Sequence, residues 1–320
     1  MATTNSTIEK IAPMFTDLLI KKIECLKTDW QKPWIASLEQ GLPRNIRGTL
    51  YNGGNVLMLL FYTEFMKFTL PVFLTFNQAK EEDLSVSKGA RSFPVYYWFK
   101  FVVHKETKKT IKYEEYRKLP ATEQENYKVI PQMKYYNVFN IDQTDFAGKY
   151  PERYERMKKG EQPEDYSDGM IYEALDELVC LQNWYCPIKV QYSDSAYYSP
   201  SSDHIVCPQR EQFPQGAEFY GTLLHEMAHS TGSPQRLNRT FGCFFGDALY
   251  AREELVAELT AALCGAFFGY AAAPQDNNAA YLKHWLTKLK EEPAFLVEIL
   301  GDVNKAAKMI ADKVTEPMNE

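Results

Sequence analysis

Residues 219–232 read FYGTLLHEMAHSTG, and the interpretation of the C-terminal half starts from them. His225 and His229 stand four positions apart, so on a helix both imidazoles leave one face about a turn from each other and can bind one ion. Glu226, beside them, can accept a proton from a water molecule whose pKa the ion has lowered. The competing explanation is a solvated helix face, and the flanking Thr222, Leu223, Leu224 and Ala228 argue for burial instead. The extended pattern H-E-x-x-H-x-x-G-x-x-H would require His at position 235, where the chain has Gln235, so that three-histidine arrangement is excluded and the third ligand must come from elsewhere.

Residues 250–259, YAREELVAEL, offer Glu254 and Glu258 one turn apart on a second helix. A carboxylate lodged among Ala257, Ala261, Leu263 and Cys264 is poorly explained as surface charge. Glu254 is the preferred third ligand and Glu258 the carboxylate that supports a ligand histidine, with the exchanged roles left open. Glu253 is expected to face solvent, and His204 and His284 are taken as structural. Three protein ligands leave one position open, the arrangement of a catalytic Zn2+, so hydrolysis is the implied chemistry.

The chain has 320 residues, 45% hydrophobic and 24% charged, which fits globular rather than disordered or fibrous protein and favours two domains. Six cysteines occur without any C-x-x-C pair, so buried free thiols are expected rather than disulfides or a thiolate metal site. The polar start MATTNSTIEK and the lack of a long apolar run predict a cytoplasmic protein without membrane contact, which argues against a secreted protease.

Helical spacing follows Ser6 and Thr7 and stops near Trp30 and Pro33, and residues 55–68 form a second apolar helix. Thr75 is placed to cap a third. Residues 95–105 and 134–141 are rich in aromatic and β-branched side chains and predict strands, with ETKKT turning between elements. The charged, Pro- and Gly-containing segment before Asp168 has the composition of a linker. The expected division is residues 1–150, a linker at 151–168 and a second domain at 169–320, each domain α+β. In the second, helices are expected at 171–184, 215–230, 248–270, 277–291 and 293–313, with strands at 187–192 and around His204. A sheet edge containing Asp203 to Val206 is expected above the histidine helix, where an extended peptide could pair with it.

The net charge of −6 divides unevenly: residues 1–150 carry 21 Lys and Arg against 16 Asp and Glu, while the remainder carries 15 against 26. The first half also holds 24 of the 45 Phe, Tyr and Trp residues, interleaved with basic ones in RSFPVYYWFKFVVHK. Aromatics beside Lys and Arg hold single-stranded nucleic acid by stacking and phosphate attraction, although a Tyr- and Phe-rich core explains the same composition.

Several segments in order, KPW (32–34), LPRNIRGTLYNGGNVLMLL (42–60), LTFNQAK (74–80), SKGARSFPVYYW (87–98), YYNVFNIDQTD (135–145), YYSPSSDHIVCP (197–208), the HEMAH stretch, RLNR (236–239) and YAREELVAEL, resemble the ArdC-type antirestriction proteins of conjugative plasmids and mobile elements. The N-terminal part of some plasmid primases is similar. The resemblance implies an N-terminal domain that binds single-stranded DNA and a C-terminal zincin-like metallopeptidase domain, protecting transferred mobile-element DNA from host restriction. It carries the metal site to His225 and His229, the catalytic glutamate to Glu226, and the third ligand to YAREELVAEL. Implied partners are single-stranded DNA and a DNA-bound protein substrate or a restriction enzyme. The alternative is a catalytically silent zincin-fold protein that inhibits restriction enzymes by binding DNA. Candidate DNA contacts are Trp34, Arg44, Arg47, Tyr51, Asn52, Lys88, Arg91, Tyr97 and Trp98.

Overall fold

The computed structural model describes residues 2–28, 34, 35, 38, 40–159, 171–242, 248–269 and 282–315. Cys243, the side chain of His284, the end of the first helix near Trp30 and Pro33, and linker residues 160–168 lie outside them.

The first apolar stripe becomes α1 (Ala2–Thr28), which buries Ile11, Phe15, Leu19 and Ile23. Helix α2 (Gly54–Met66) is apolar on every side, so it is a core helix, with Gly54 through Tyr62 all buried. It starts at Gly53, whose φ of 56° suits glycine and where a Cβ would stand 2.5 Å from Asn304 Oδ1. Strands β1 (Arg44–Asn45) and β2 (Val72–Leu74) precede α3 (Phe76–Glu81). Thr75 caps α3 as expected: its hydroxyl accepts from the Gln78 N–H at 3.2 Å, and Gln78 Oε1 accepts from the Thr75 N–H at 2.8 Å.

The long strand β3 (Phe93–His104) pairs antiparallel with β5 (Tyr127–Asn140), from Phe93 opposite Val138 to His104 opposite Tyr127. Strand β4 (Thr110–Ile111) and the short helices α4 (Tyr113–Tyr116) and α5 (Ala121–Gln124) lie between them. The sheet order is β1-β2-β5-β3-β4, with only β1 and β2 parallel.

After α6 (Phe146–Lys149) comes α7 (Pro151–Lys159), where a linker was expected. Tyr150, Tyr154 and Met157 pack on a small cluster containing Ile46, Leu70, Val72 and Phe146, and Arg153 Nη1 donates to Glu82 at 2.7 Å. The helix looks like a linker in sequence because tyrosines and one methionine supply its apolar contacts amid charge.

The second half runs α8 (Glu173–Cys180), β6 (Ile188–Gln191), β7 (Tyr197–Ser199), β8 (His204–Pro208), α9 (Gly216–Thr231), α10 (Ala248–Phe268), α11 (Leu282–Glu291) and α12 (Ala294–Thr315). Its sheet order is β6-β8-β7, so β8 is central and not the expected edge. The overlooked edge strand β7 has three residues, too few to show a periodicity. Helix α10 is buried nearly all round, from Glu253 to Ala266. One apolar cluster includes residues of α1, α2, β3, α9, α10 and α12, joining the two halves. Both halves are α+β, as expected.

Cys186, Cys207 and Cys264 are buried free thiols, whereas Cys25 and Cys180 are exposed, contrary to expectation. Among the described residues no helix is long and apolar enough to cross a membrane.

Candidate metal centre and aromatic face

Helix α9 packs against α10, with the small Ala257 and Ala261 buried. Buried carboxylates on an apolar helix need partners, and those on α10 find them on α9. His225 Nε2 and His229 Nε2 face each other at 3.0 Å. Glu254 meets both of them, Oε2 at 3.5 Å from His225 Nε2 and Oε1 at 3.6 Å from His229 Nε2. Tetrahedral ligands on bonds of about 2.1 Å lie roughly 3.4 Å apart. The histidine–histidine separation and the distances to the two Glu254 oxygens lie near that spacing, and a donor set of two imidazole nitrogens and a carboxylate fits a zinc-type divalent ion.

The far nitrogens are served separately. His229 Nδ1 lies 3.3 Å from Glu253 Oε1, and His225 Nδ1 stands 3.4 Å from Glu258 Oε1, within ion-pair range but without hydrogen-bond geometry. Glu258 therefore meets the side of the His225 ring turned away from His229. Glu253, expected in solvent, is buried and ion-paired with Arg239. The i,i+4 pattern in YAREELVAEL does not reveal it, because its partner comes from the loop after α9. Arg239 also donates to the Thr231 hydroxyl at 2.8 Å and the Ala228 carbonyl at 2.8 Å. A second arginine of RLNR, Arg236, donates through Nε to the Ser230 carbonyl at 2.6 Å and pairs with Asp203. Sequence spacing shows neither contact.

Electrostatics follow the packing. Burial pulls His225 down, but Glu254 and Glu258 outweigh it and hold the imidazole well above its ordinary value. His229 is likewise raised, with Glu254 and Glu253 overcoming burial. Burial opposes ionisation of Glu254, yet His229 and His225 hold its carboxyl at about 2. Glu226 is pushed up by burial against the pull of His225 and His229, with the Tyr198 backbone of β7 also pulling it down.

The DNA candidates are dispersed. Trp34 is completely buried and donates through Nε1 to Glu258 Oε2 at 2.7 Å. A ring with no exposed surface offers no face to a base, so Trp34 is not a DNA contact. Tyr51 is half-buried, edge-on to Phe73 with centroids 6.3 Å apart, and Arg44 is half-buried with Nη1 on the Gln40 carbonyl at 3.0 Å. Asn52, Lys88 and Arg91 are exposed, as is Arg47, which pairs with Glu81 at 2.5 Å. Tyr97 and Trp98 are both exposed, but consecutive strand residues point to opposite faces.

Tyr97 keeps different company from the other candidates. Its ring lies 6.1 Å from those of Phe99 and Tyr136, and Lys134 Nζ stands 4.7 Å over Phe99. Lys134 is directly opposite Tyr97 across the β3–β5 pair. Phe99, Lys134 and Tyr136 were missed because the strand register, which unites them with Tyr97, is not written in either strand alone. Trp98 instead lines a groove with Lys100, Tyr113 and Pro131, in which Lys100 Nζ sits 4.2 Å from the Tyr113 ring centroid.

Comparisons with known proteins give two family matches on this chain. Residues 9–139 match the N-terminal domain of anti-restriction factor ArdC, and residues 174–299 match a zincin-like metallopeptidase family. The crystal structure of the antirestriction ArdC protein from R388 plasmid in its metal-free form is similar, with a TM-score of 0.67 and 28% identity, covering 97% of this chain and 99% of that one. The Mn(II)-bound structure of that protein has a TM-score of 0.66 at 28% identity, covering 96% and 99%. An Escherichia coli DNA primase TraC is 28% identical over 90% of this chain, which spans only 26% of the primase. Protein y4eC of Sinorhizobium fredii is 27% identical, over 90% of this chain and 87% of its own length.

Proposed function

Because the chain belongs to the ArdC-type antirestriction family, with an ArdC N-terminal domain and a zincin-like metallopeptidase domain, we propose that it binds single-stranded DNA and carries a metal-dependent hydrolytic site, protecting transferred DNA from restriction in the recipient cytoplasm. His225, His229 and Glu254 would hold the ion, zinc being the best match to the donor set. When bound, the ion supplies the Lewis acidity that brings a water proton within reach of a carboxylate near neutral pH. Glu226, buried beside both histidines, would receive that proton. Glu253 and Glu258 would keep the imidazoles oriented with Nε2 towards the ion.

The observation that carries this proposal is the doubled arrangement around the histidines: each Nε2 meets Glu254, and each Nδ1 has a carboxylate of its own. An ordinary buried ion pair requires no such convergence. For DNA, the exposed aromatic-basic face of Tyr97, Phe99, Lys134 and Tyr136 supports stacking and phosphate attraction together. Arg44, Arg47, Tyr51, Asn52, Lys88, Arg91 and Trp98 would extend contacts along the same half.

Conjugative transfer of an unmodified plasmid into a restricting recipient tests the proposal. Expression of the chain should raise transconjugant yield in the restricting host alone, and Glu226→Gln should abolish the gain. Equal protection by Glu226→Gln would favour a non-hydrolytic DNA-bound inhibitor, and no protection by either protein would refute the antirestriction role of this chain.

A further inference from the structure

We infer that Trp34, from the N-terminal half, is a positioning residue of the metal centre and that full metal affinity requires its indole N–H. The inference rests on the reading of His225, His229 and Glu254 as ligands. Glu258 is 2% exposed, and a buried carboxylate is held in one orientation only by the donors around it. One of its oxygens accepts from Trp34 Nε1 at 2.7 Å, while the other stands 3.4 Å from His225 Nδ1. Trp34 is itself fixed, completely buried and tilted against Phe61 of α2 at a centroid distance of 6.2 Å.

The chain of contacts therefore runs from an N-terminal indole through an α10 carboxylate to an α9 imidazole. Its partner on the other imidazole, Arg239 through Glu253 to His229, lies wholly within the C-terminal half. Of the two supports, one is supplied from 224 positions away in the sequence. Outer partners of this kind influence metal affinity by roughly 10–100-fold, because they set ring orientation and the basicity of the ligating nitrogen. Without the indole donor, Glu258 loses the hydrogen bond from Trp34 to its second oxygen.

The test is a Co(II) titration of the full chain, followed by the visible absorption of the bound ion, with metal-free melting temperature as a control for folding. Trp34→Phe should weaken Co(II) by about tenfold. Benzothienylalanine installed at position 34, which keeps the indole's shape without its N–H, should do the same with an unchanged melting temperature. In a Glu258→Gln background the substitution at position 34 should have little further effect, since the two act through one carboxylate. Unchanged Co(II) affinity with benzothienylalanine, or an equal loss in the Glu258→Gln background, overturns the inference. Failure of the unsubstituted chain to bind Co(II) would instead refute the ligand assignment on which the inference rests.

Discussion

The guanidinium of Arg239 grips the carboxylate of Glu253 through two parallel bonds, Nε to Oε2 at 2.9 Å and Nη2 to Oε1 at 2.6 Å. Both side chains are almost wholly withdrawn from water. Removing one partner of such a pair strands the other, so Arg239→Met should cost about 3 kcal/mol. Urea unfolding with a chelator present, which removes any contribution from bound metal, measures it. A loss below about 1 kcal/mol would mean that Glu253 finds another partner.

Glu226 has no ligand role in the proposed centre, so Glu226→Gln should retain metal at full stoichiometry while hydrolysis falls by about 100-fold or more. Metal content after dialysis and turnover of a protein substrate on single-stranded DNA give the two halves of the result. Undiminished turnover would remove Glu226 as the proton acceptor.

On the β3–β5 face, Tyr97→Ala and Tyr136→Ala should each weaken single-strand binding by about 1 kcal/mol or more through lost stacking. Lys134→Ala should reduce the slope of log affinity against log salt by about 0.7, the share of one phosphate contact. Anisotropy of a labelled oligonucleotide at several salt concentrations reads both quantities. Three unaltered titrations would clear this face of DNA.

Asp203 gives a pH-dependent handle on the loop after α9. Hydrogen bonds from Arg236 hold its carboxyl below the usual range. A depressed carboxyl stabilises the fold above its unfolded pKa of about 3.9, and that stabilisation disappears as pH falls through the lower folded value. The melting-temperature gap between the unsubstituted chain and Asp203→Asn should therefore be constant above about pH 5 and close towards pH 3. A gap that widens on acidification would reverse the assigned sign.

What could be read from sequence followed from local physics. The i,i+4 spacing of His225 and His229 already dictates a shared helical face, and the apolar run 55–68 already dictates a core helix. Thr75 and Gln78 announce their cap within four residues. Several misplacements concern partners that lie outside the local segment. Trp34 reads as a stacking residue without Glu258 beside it, Glu253 as solvated without Arg239, and β8 as an edge without β7. The Tyr97 face likewise required the register that sets Lys134 opposite Tyr97.

The packing of α1 against α12 bears on how the protein is made. Helix α1 finds part of its burial on α12, nearly 300 residues later in the sequence. Until α12 has been made, α1 lacks that part of its cover, so its burial is completed in stages, the contact of Phe15 with Phe93 being available earlier.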